Sequence, residues 1–421
     1  MLRYIWQQTS VNAFAVSVSS LFESHHKSSS PYELDFWQPP SHVGAVVDVT
    51  VSPEDAYDFA HDLQSKGINF IIAINDLQQA IDDERTENDE NYSLTDGSLQ
   101  FDKYNRFDII EGYFHKLRSQ NSQIVTLVEI GKTHKNRSLT VVKVFGKGSC
   151  AKDAIWIDGG THAHEWISPA AALNIINELV SGYDSNPEIQ IVSIDWYILP
   201  VMNPDGYEYS QTKNRMWRKN RRLAECRMNN LRTVCCMGVD LNRNFDWFWE
   251  CELYKCIITA SGSSADPCHG TYHGTKSFSG PETKAVKEFL ELNPPKAFIT
   301  LHSYSQMWLI PYSHRRKSYP RDYSNGFGKL HVPYAYLVEL RPNSTTYTNG
   351  FLLPKCEIKT TSEETWAAIK TIADELNSQS ARKSISLIRV TDASQFHSST
   401  HTCEQVTVPV MMMYQGESVL F

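Results

Sequence analysis

Residues 154–173 read AIWIDGGTHAHEWISPAAAL, and their order decides the fold. Ala154–Asp158 is an apolar run of strand length, Gly159 and Gly160 break it, and a helix follows from Ser168 to Ser181. A strand that feeds a helix through a polar turn is the unit of an α/β sheet, and such sheets bind ligands at the carboxyl ends of their strands. His162 and Glu165 occupy that turn. The spacing His-x-x-Glu lets a ring nitrogen and a carboxylate converge on one cation, and zinc accepts both donors. Taken alone, such a pair is more often ordinary surface chemistry.

The same alternation continues on both sides. Ile124–Gly131, Ser138–Phe145, Ile191–Leu199 and Ala297–Leu301 have the patterns of strands, and Thr283–Leu292, just after Pro281, that of a helix. The expected fold is α/β, with a mixed, mostly parallel sheet flanked by helices. In FITLHSYSQMWLIPY, residues 298–312, His302 stands directly after a buried strand. A lone histidine there reads better as a core residue. Two strand-edge sites in one sheet make coincidence less probable, and His162, Glu165 and His302 together would leave one zinc position open to water.

Other polar residues are oddly placed. NPDGYEYSQTKNRMWRKNRR (203–222) holds Arg215 and Arg218 beside Trp217, and GVDLNRNFD (238–246) holds Asn242 and Arg243 between apolar neighbours. A guanidinium fixed by its surroundings clamps a carboxylate through two parallel hydrogen bonds, although most arginines of this stretch read singly as surface residues. In VPYAYLVELRP (332–342), Glu339 interrupts an apolar strand. A buried carboxylate is costly unless paired or functional, which makes Glu339 the best candidate for a general base.

Upstream, residues 34–90 form a separate small α/β pattern. Leu34–Trp37 and Ala45–Val51 read as strands, Ser52 and Pro53 as the start of a helix that Gly67 ends, and Ile68–Ile74 as a buried strand. Asn75 then caps an acidic helix running towards Arg85. Two helices and three or four strands suggest an open-faced, ferredoxin-like sandwich. Residues 91–103 read as an acidic, polar linker. Arg85 is the only Lys or Arg between Lys66 and Lys103, so it suits a trypsin-like protease as well as it suits a helix surface. At the start, Arg3 and the run Val11–Phe22 faintly resemble a signal peptide, whereas a strand at Leu2–Trp6 followed by an amphipathic helix reads just as well.

Bulk properties narrow the class. A net charge of −8 over 421 residues argues against nucleic acid as the main partner. No segment has the apolar length of a membrane span. Six of nine cysteines, at 226, 235, 236, 251, 256 and 268, crowd together without paired CxxC spacing, so disulfides in an oxidising compartment fit better than metal ligation. Sequons at Asn91, Asn136 and Asn343 agree with export.

In this order, the segments resemble the digestive metallocarboxypeptidases of the A/B type with their propeptide, over most of residues 34–378. The resemblance implies an eight-stranded-type sheet and a secreted, monomeric proenzyme that removes C-terminal residues from peptides and proteins. It implies one Zn2+ held by His162, Glu165 and His302. It also implies Glu339 as the base that activates water, Arg218 as the oxyanion partner, and Asn242 and Arg243 on the substrate's free carboxylate. Tyr304 would line a neighbouring subsite, with Arg215 a further substrate contact, and Cys236 and Cys268 would be bridged. Residues 1–90 would form the activation domain, capping the cleft until a trypsin-like protease cuts near Arg85, and residues 104–378 the catalytic domain. Four features depart from the family pattern. The chain is shortened between Pro311 and Glu339, carries an insert around Cys251–Ala260, has His164 where arginine is expected, and ends in a tail over 379–421. The shortened wall leaves a second reading, that of a catalytically impaired, peptide-binding relative.

Overall fold

The computed structural model describes residues 2–7, 32–38, 46–89, 98–146, 152–183, 194–229, 232–246, 249, 262–310, 332–343 and 349–391. The N-terminal part contains β1 (Leu2–Gln7), β2 (Leu34–Gln38), β3 (Val46–Val51), α1 (Ala56–Ser65), β4 (Phe70–Ile74) and α2 (Leu77–Asp89). Its strands form one sheet in the order β2-β3-β1-β4, antiparallel at every pairing. The first residues are thus a strand in the middle of a sheet. The run Val11–Phe22, the sequon at Asn91 and the remaining connections of a ferredoxin-like sandwich lie outside the described residues.

Phe59 and Leu63 of α1 bury against Val47, Val49 and Val51, the stripe its spacing predicts. The helix starts later than its sequence suggests. Residues 53–55 make a turn whose Asp55 amide donates to Ser52 Oγ (3.2 Å), and Asp55 is the residue that precedes the helix. Likewise Asp76, not Asn75, caps α2, its Oδ1 accepting from the amides of Gln78 (3.0 Å) and Gln79 (3.1 Å). Helix α2 runs on to Asp89, so Arg85 lies inside it. Leu77 and Ile81, with Trp37 of β2, pack against Tyr304, Phe351 and Leu352 of the larger part.

That part contains α3 (Phe107–Gln120), β5 (Val125–Lys132), β6 (Ser138–Val144), β7 (Ala154–Asp158), α4 (Ile167–Ser181), β8 (Asp195–Leu199) and α5 (Pro204–Thr212). A hairpin of β9 (Glu225–Asn229) and β10 (Arg232–Cys236) follows, then α6 (Pro281–Leu292), β11 (Ala297–Ser303), β12 (Met307–Leu309), β13 (Tyr334–Leu340) and α7 (Glu357–Thr391). Among the described residues the main sheet has seven strands, ordered β12-β13-β11-β7-β8-β6-β5. Its β13, β11, β7 and β8 are mutually parallel, while β12, β6 and β5 pair antiparallel. The expected mixed sheet flanked by helices is found, with three of its six described pairings parallel and three antiparallel, β5–β6 among the latter. The reason is local: residues 133–137 are too few for a crossover, so β5 and β6 must run antiparallel.

Alternate residues of β7 serve two cores. Ile155 and Ile157 meet α3, α4 and α7, while Trp156 faces Phe298 and Leu290 on the other side. The expected linker is partly docked: Lys103 is buried, and Asn174 Nδ2 donates to Phe101 O (3.0 Å). Helix α7 continues past residue 378, and residues 392–421 lie outside the described part. Among the described residues no helix is long and apolar enough to cross a membrane.

Candidate metal centre and substrate cleft

Strands β7 and β11 are parallel neighbours, so the turn after β7 and the end of β11 meet at one sheet edge. His162, Glu165 and His302 come together there, each buried, with ligand atoms all within 4.8 Å of one another. His162 Nδ1 lies 2.7 Å from Glu165 Oε1, and His302 Nδ1 lies 3.1 Å from Glu165 Oε2 and 3.1 Å from His162 Nδ1. Two nitrogens bound tetrahedrally to one zinc at 2.0–2.1 Å stand about 3.3 Å apart. The observed spacing is close to that, so the residues fit the ion.

The electrostatics agree. Burial alone would raise the Glu165 carboxyl, but His162 and His302 beside it hold it well below the usual carboxylate range. The group is therefore ionised, as a ligand must be. Asp240, also fully buried, is held down in the same way, Arg218 and His162 overriding the cost of burial. An ionised carboxylate only accepts, so His162 Nε2–H donates to Asp240 Oδ1 (3.2 Å) and Nδ1 is left with its lone pair towards the centre. The sequence reading passed over Asp240. Its signal was present in the Asp-x-Asn of 240–242, a turn in which Asp240 Oδ1 accepts from the Asn242 amide (3.0 Å).

The remaining expected residues surround this centre. Glu339 of β13 is the registered partner of His302 across the parallel pair, so both project from the same face of the sheet. Arg218 Nε donates to Asp240 Oδ2 (2.9 Å), and the Arg218 carbonyl accepts from the Ala163 amide (3.0 Å) in the metal-site turn. Asn242 is buried beside them, while Arg243 Nε donates to the carbonyl of Gly262. Gly238, at φ 86°, lets two arms approach closely, the segment from Arg218 to Arg222 and the segment from Gly238 to Arg243. A Cβ there would stand 2.3 Å from the Asn220 carbonyl, which leaves glycine as the residue that fits.

Arg215 and Tyr304 are engaged by the N-terminal part. Arg215 is fully buried and donates to both carboxylate oxygens of Glu84 on α2 (2.5 and 3.0 Å), and to the carbonyls of His164 (2.7 Å) and Phe351 (2.6 Å). The Tyr304 hydroxyl donates to Asp48 of β3, and Gln38 Nε2 to Ser305 Oγ (3.1 Å). Asp35 lies within electrostatic reach of Arg218. His164 stacks on Phe351 (3.9 Å between centroids), and burial lowers its pKa to about 3, so it stays uncharged where arginine would bring a charge.

Cys236 and Cys268 are bridged, and Cys226–Cys235 adds a second disulfide across the β9–β10 hairpin. Cys356 is free and exposed. The insert around Cys251–Ala260 and most of the shortened stretch before Glu339 lie outside the described residues.

Comparison with known proteins gives the same picture. Residues 110–327 match the zinc carboxypeptidase family, and residues 20–84 match the carboxypeptidase activation peptide. Rat carboxypeptidase A2 is 34% identical over 384 residues, 81% of this chain and 87% of its own length. Human carboxypeptidase B is 32% identical over 392 residues, covering 82% and 88%. Among solved structures, thrombin activatable fibrinolysis inhibitor superposes with a TM-score of 0.72 at 26% identity, covering 90% of this chain and 98% of that one. A match of this extent over both parts leaves one conclusion: the chain belongs to the zinc carboxypeptidase family and carries the family's activation peptide.

Proposed function

We propose that this chain is the secreted, monomeric proenzyme of an exopeptidase that binds one zinc ion and hydrolyses the last peptide bond of peptides and proteins. The observation that carries the reading is the buried His162–Glu165–His302 cluster, with Asp240 orienting the His162 ring. Zinc, when bound, supplies Lewis acidity at the scissile carbonyl. Glu339 takes a proton from the attacking water and passes it to the leaving amine. Arg218, steadied by Asp240, faces the developing oxyanion. Asn242 and Arg243 grip the terminal carboxylate, which restricts the reaction to the last residue. Tyr304 and Arg215 line adjoining subsites once the N-terminal part has left.

Activation is assigned to a trypsin-like protease cutting at Arg85. Because Arg85 sits within α2, that helix must open locally before a protease can bind it in extended form. Treating the full chain with trypsin and following release of C-terminal Phe, Leu, Lys and Arg, with and without a chelator, tests the function. Release that the chelator abolishes is the expected result. A cut, folded, zinc-containing protein that releases nothing from any of these peptides would instead support the impaired, peptide-binding reading.

A further inference from the structure

Glu282 is the second residue of α6 and is wholly inaccessible to solvent. An acid in the first turn of a helix is ordinary on a surface, where it answers the helix dipole. Buried, it is expensive, and here burial pushes the carboxyl up to about 7, against its own amide and Asn220, which pull it down. One oxygen, Oε2, accepts from Asn220 Nδ2 (2.8 Å), and Oε1 is buried with no hydrogen-bond partner among the described residues.

Asn220 is the joint between the two arms of the cleft. Its Oδ1 accepts from the amides of Val239 (2.8 Å) and Arg222 (3.2 Å), and its own amide donates to the Val239 carbonyl (3.0 Å). Arg218 lies two residues before this joint, and Asp240, which holds Arg218 and His162, lies one residue after Val239. With its oxygen held by the Val239 and Arg222 amides, the Asn220 side chain turns its buried nitrogen to an acceptor, and Glu282 is that acceptor. The same helix start also secures the second arm. Asn244 Oδ1 accepts from the Gly280 amide (2.8 Å) and Thr283 Oγ1 (2.9 Å), one residue after Arg243. The space is tight, since a Cβ on Gly280 would lie 2.9 Å from Leu241 Cδ2 and 3.3 Å from both Asn244 Oδ1 and Glu282 Oε2.

We propose that Glu282 is a positioning residue for substrate binding: acting through Asn220, whose Oδ1 holds the Val239 amide, it fixes the segment that carries Asn242 and Arg243. The inference rests on the reading of those two residues as contacts of the substrate's carboxylate. It gives Glu282 an action on carboxylate recognition and none on the metal.

The test uses the trypsin-activated, zinc-loaded protein on whichever C-terminal peptide the wild type cleaves best. In Glu282→Met the acceptor is lost, and KM should rise about tenfold, the equivalent of one good hydrogen bond's geometry, with zinc content and kcat nearly unchanged. Glu282→Gln keeps an acceptor for Asn220 and should stay within about twofold of wild type. Should the methionine variant fail to fold, Asn220→Ala breaks the same link from the other side and should show the same KM rise. An unchanged KM in the variant lacking the link, whatever its Tm, overturns the proposal, as do equal losses in the Gln and Met variants. Arg243→Ala is the separate control: if it leaves KM unchanged, the carboxylate clamp itself is wrong, independently of Glu282.

Discussion

The strand ends that bear His162 and His302 and the loops that bear Arg218, Asn242 and Arg243 lie side by side but are held in place by different means. The first pair is located by sheet register, with β7 and β11 parallel and apolar on both faces. The second group has no regular element longer than one 3-10 turn, Leu241–Arg243, and is located by buried amides and carboxylates: Asp240, Asn220, Asn244 and Glu282. Register is set by many weak contacts at once, so single changes there leave the frame standing. A polar joint depends on each partner, and an unmatched buried group costs about 1–3 kcal/mol. The metal centre should therefore tolerate changes around it better than the proposed substrate clamp does.

Three substitutions sharpen this contrast. The largest effect is expected for Glu339→Gln, which keeps the strand and the sheet but loses the proposed base. Its kcat should fall about 10²–10⁴-fold, with KM and zinc content close to wild type. Full activity in that variant would remove Glu339 from the reaction. Asp240→Asn comes next, because Asp240 alone belongs to both regions. Losing the partner of His162 should weaken zinc affinity about 10–100-fold, measured by competition with a chromogenic chelator. The kcat should fall in parallel, because Arg218, the proposed oxyanion partner, loses the same carboxylate. A change in only one of the two measurements would mean that the regions are not joined through this residue.

The smallest effect concerns the cover over the cleft. Glu84→Gln weakens the buried pair with Arg215, and trypsin should then cut at Arg85 about fivefold faster, as a loss of some 1 kcal/mol in helix opening implies. A time course on a gel measures it. An unaltered rate would show that opening of α2 does not limit the cut.

The difference between the two regions also explains what could be read from the chain alone. Ala154–Asp158 has the same bounds in sequence and structure, because an apolar run between polar breaks is a local signal. His302 was found through the strand that carries it, although β11 extends two residues further, to Ser303. Asp240, Asn220 and Glu282 carry no comparable mark. Their partners stand 78, 19 and 62 residues away, and the one local sign, the Asp-x-Asn turn at 240–242, says nothing of which residue Asp240 reaches. Helix starts show the same limit on a smaller scale. Asn75 and Asp76 are both competent caps, and only the backbone path decides which one is used. The contact of Arg215 with Glu84 was out of reach for a further reason, since it joins two parts that the sequence presents as separate units.

The grip of the N-terminal part on the cleft has a kinetic consequence. Asp48, Gln38 and Glu84 all precede Arg85, so a cut at that position leaves every one of these contacts on a single fragment. Scission removes the tether together with the last turn of α2. The fragment's effective concentration then falls from a fixed intramolecular value to whatever the solution provides, and unmasking becomes a bimolecular dissociation driven by dilution. In a concentrated solution the nicked protein would remain shut, and it would open on dilution.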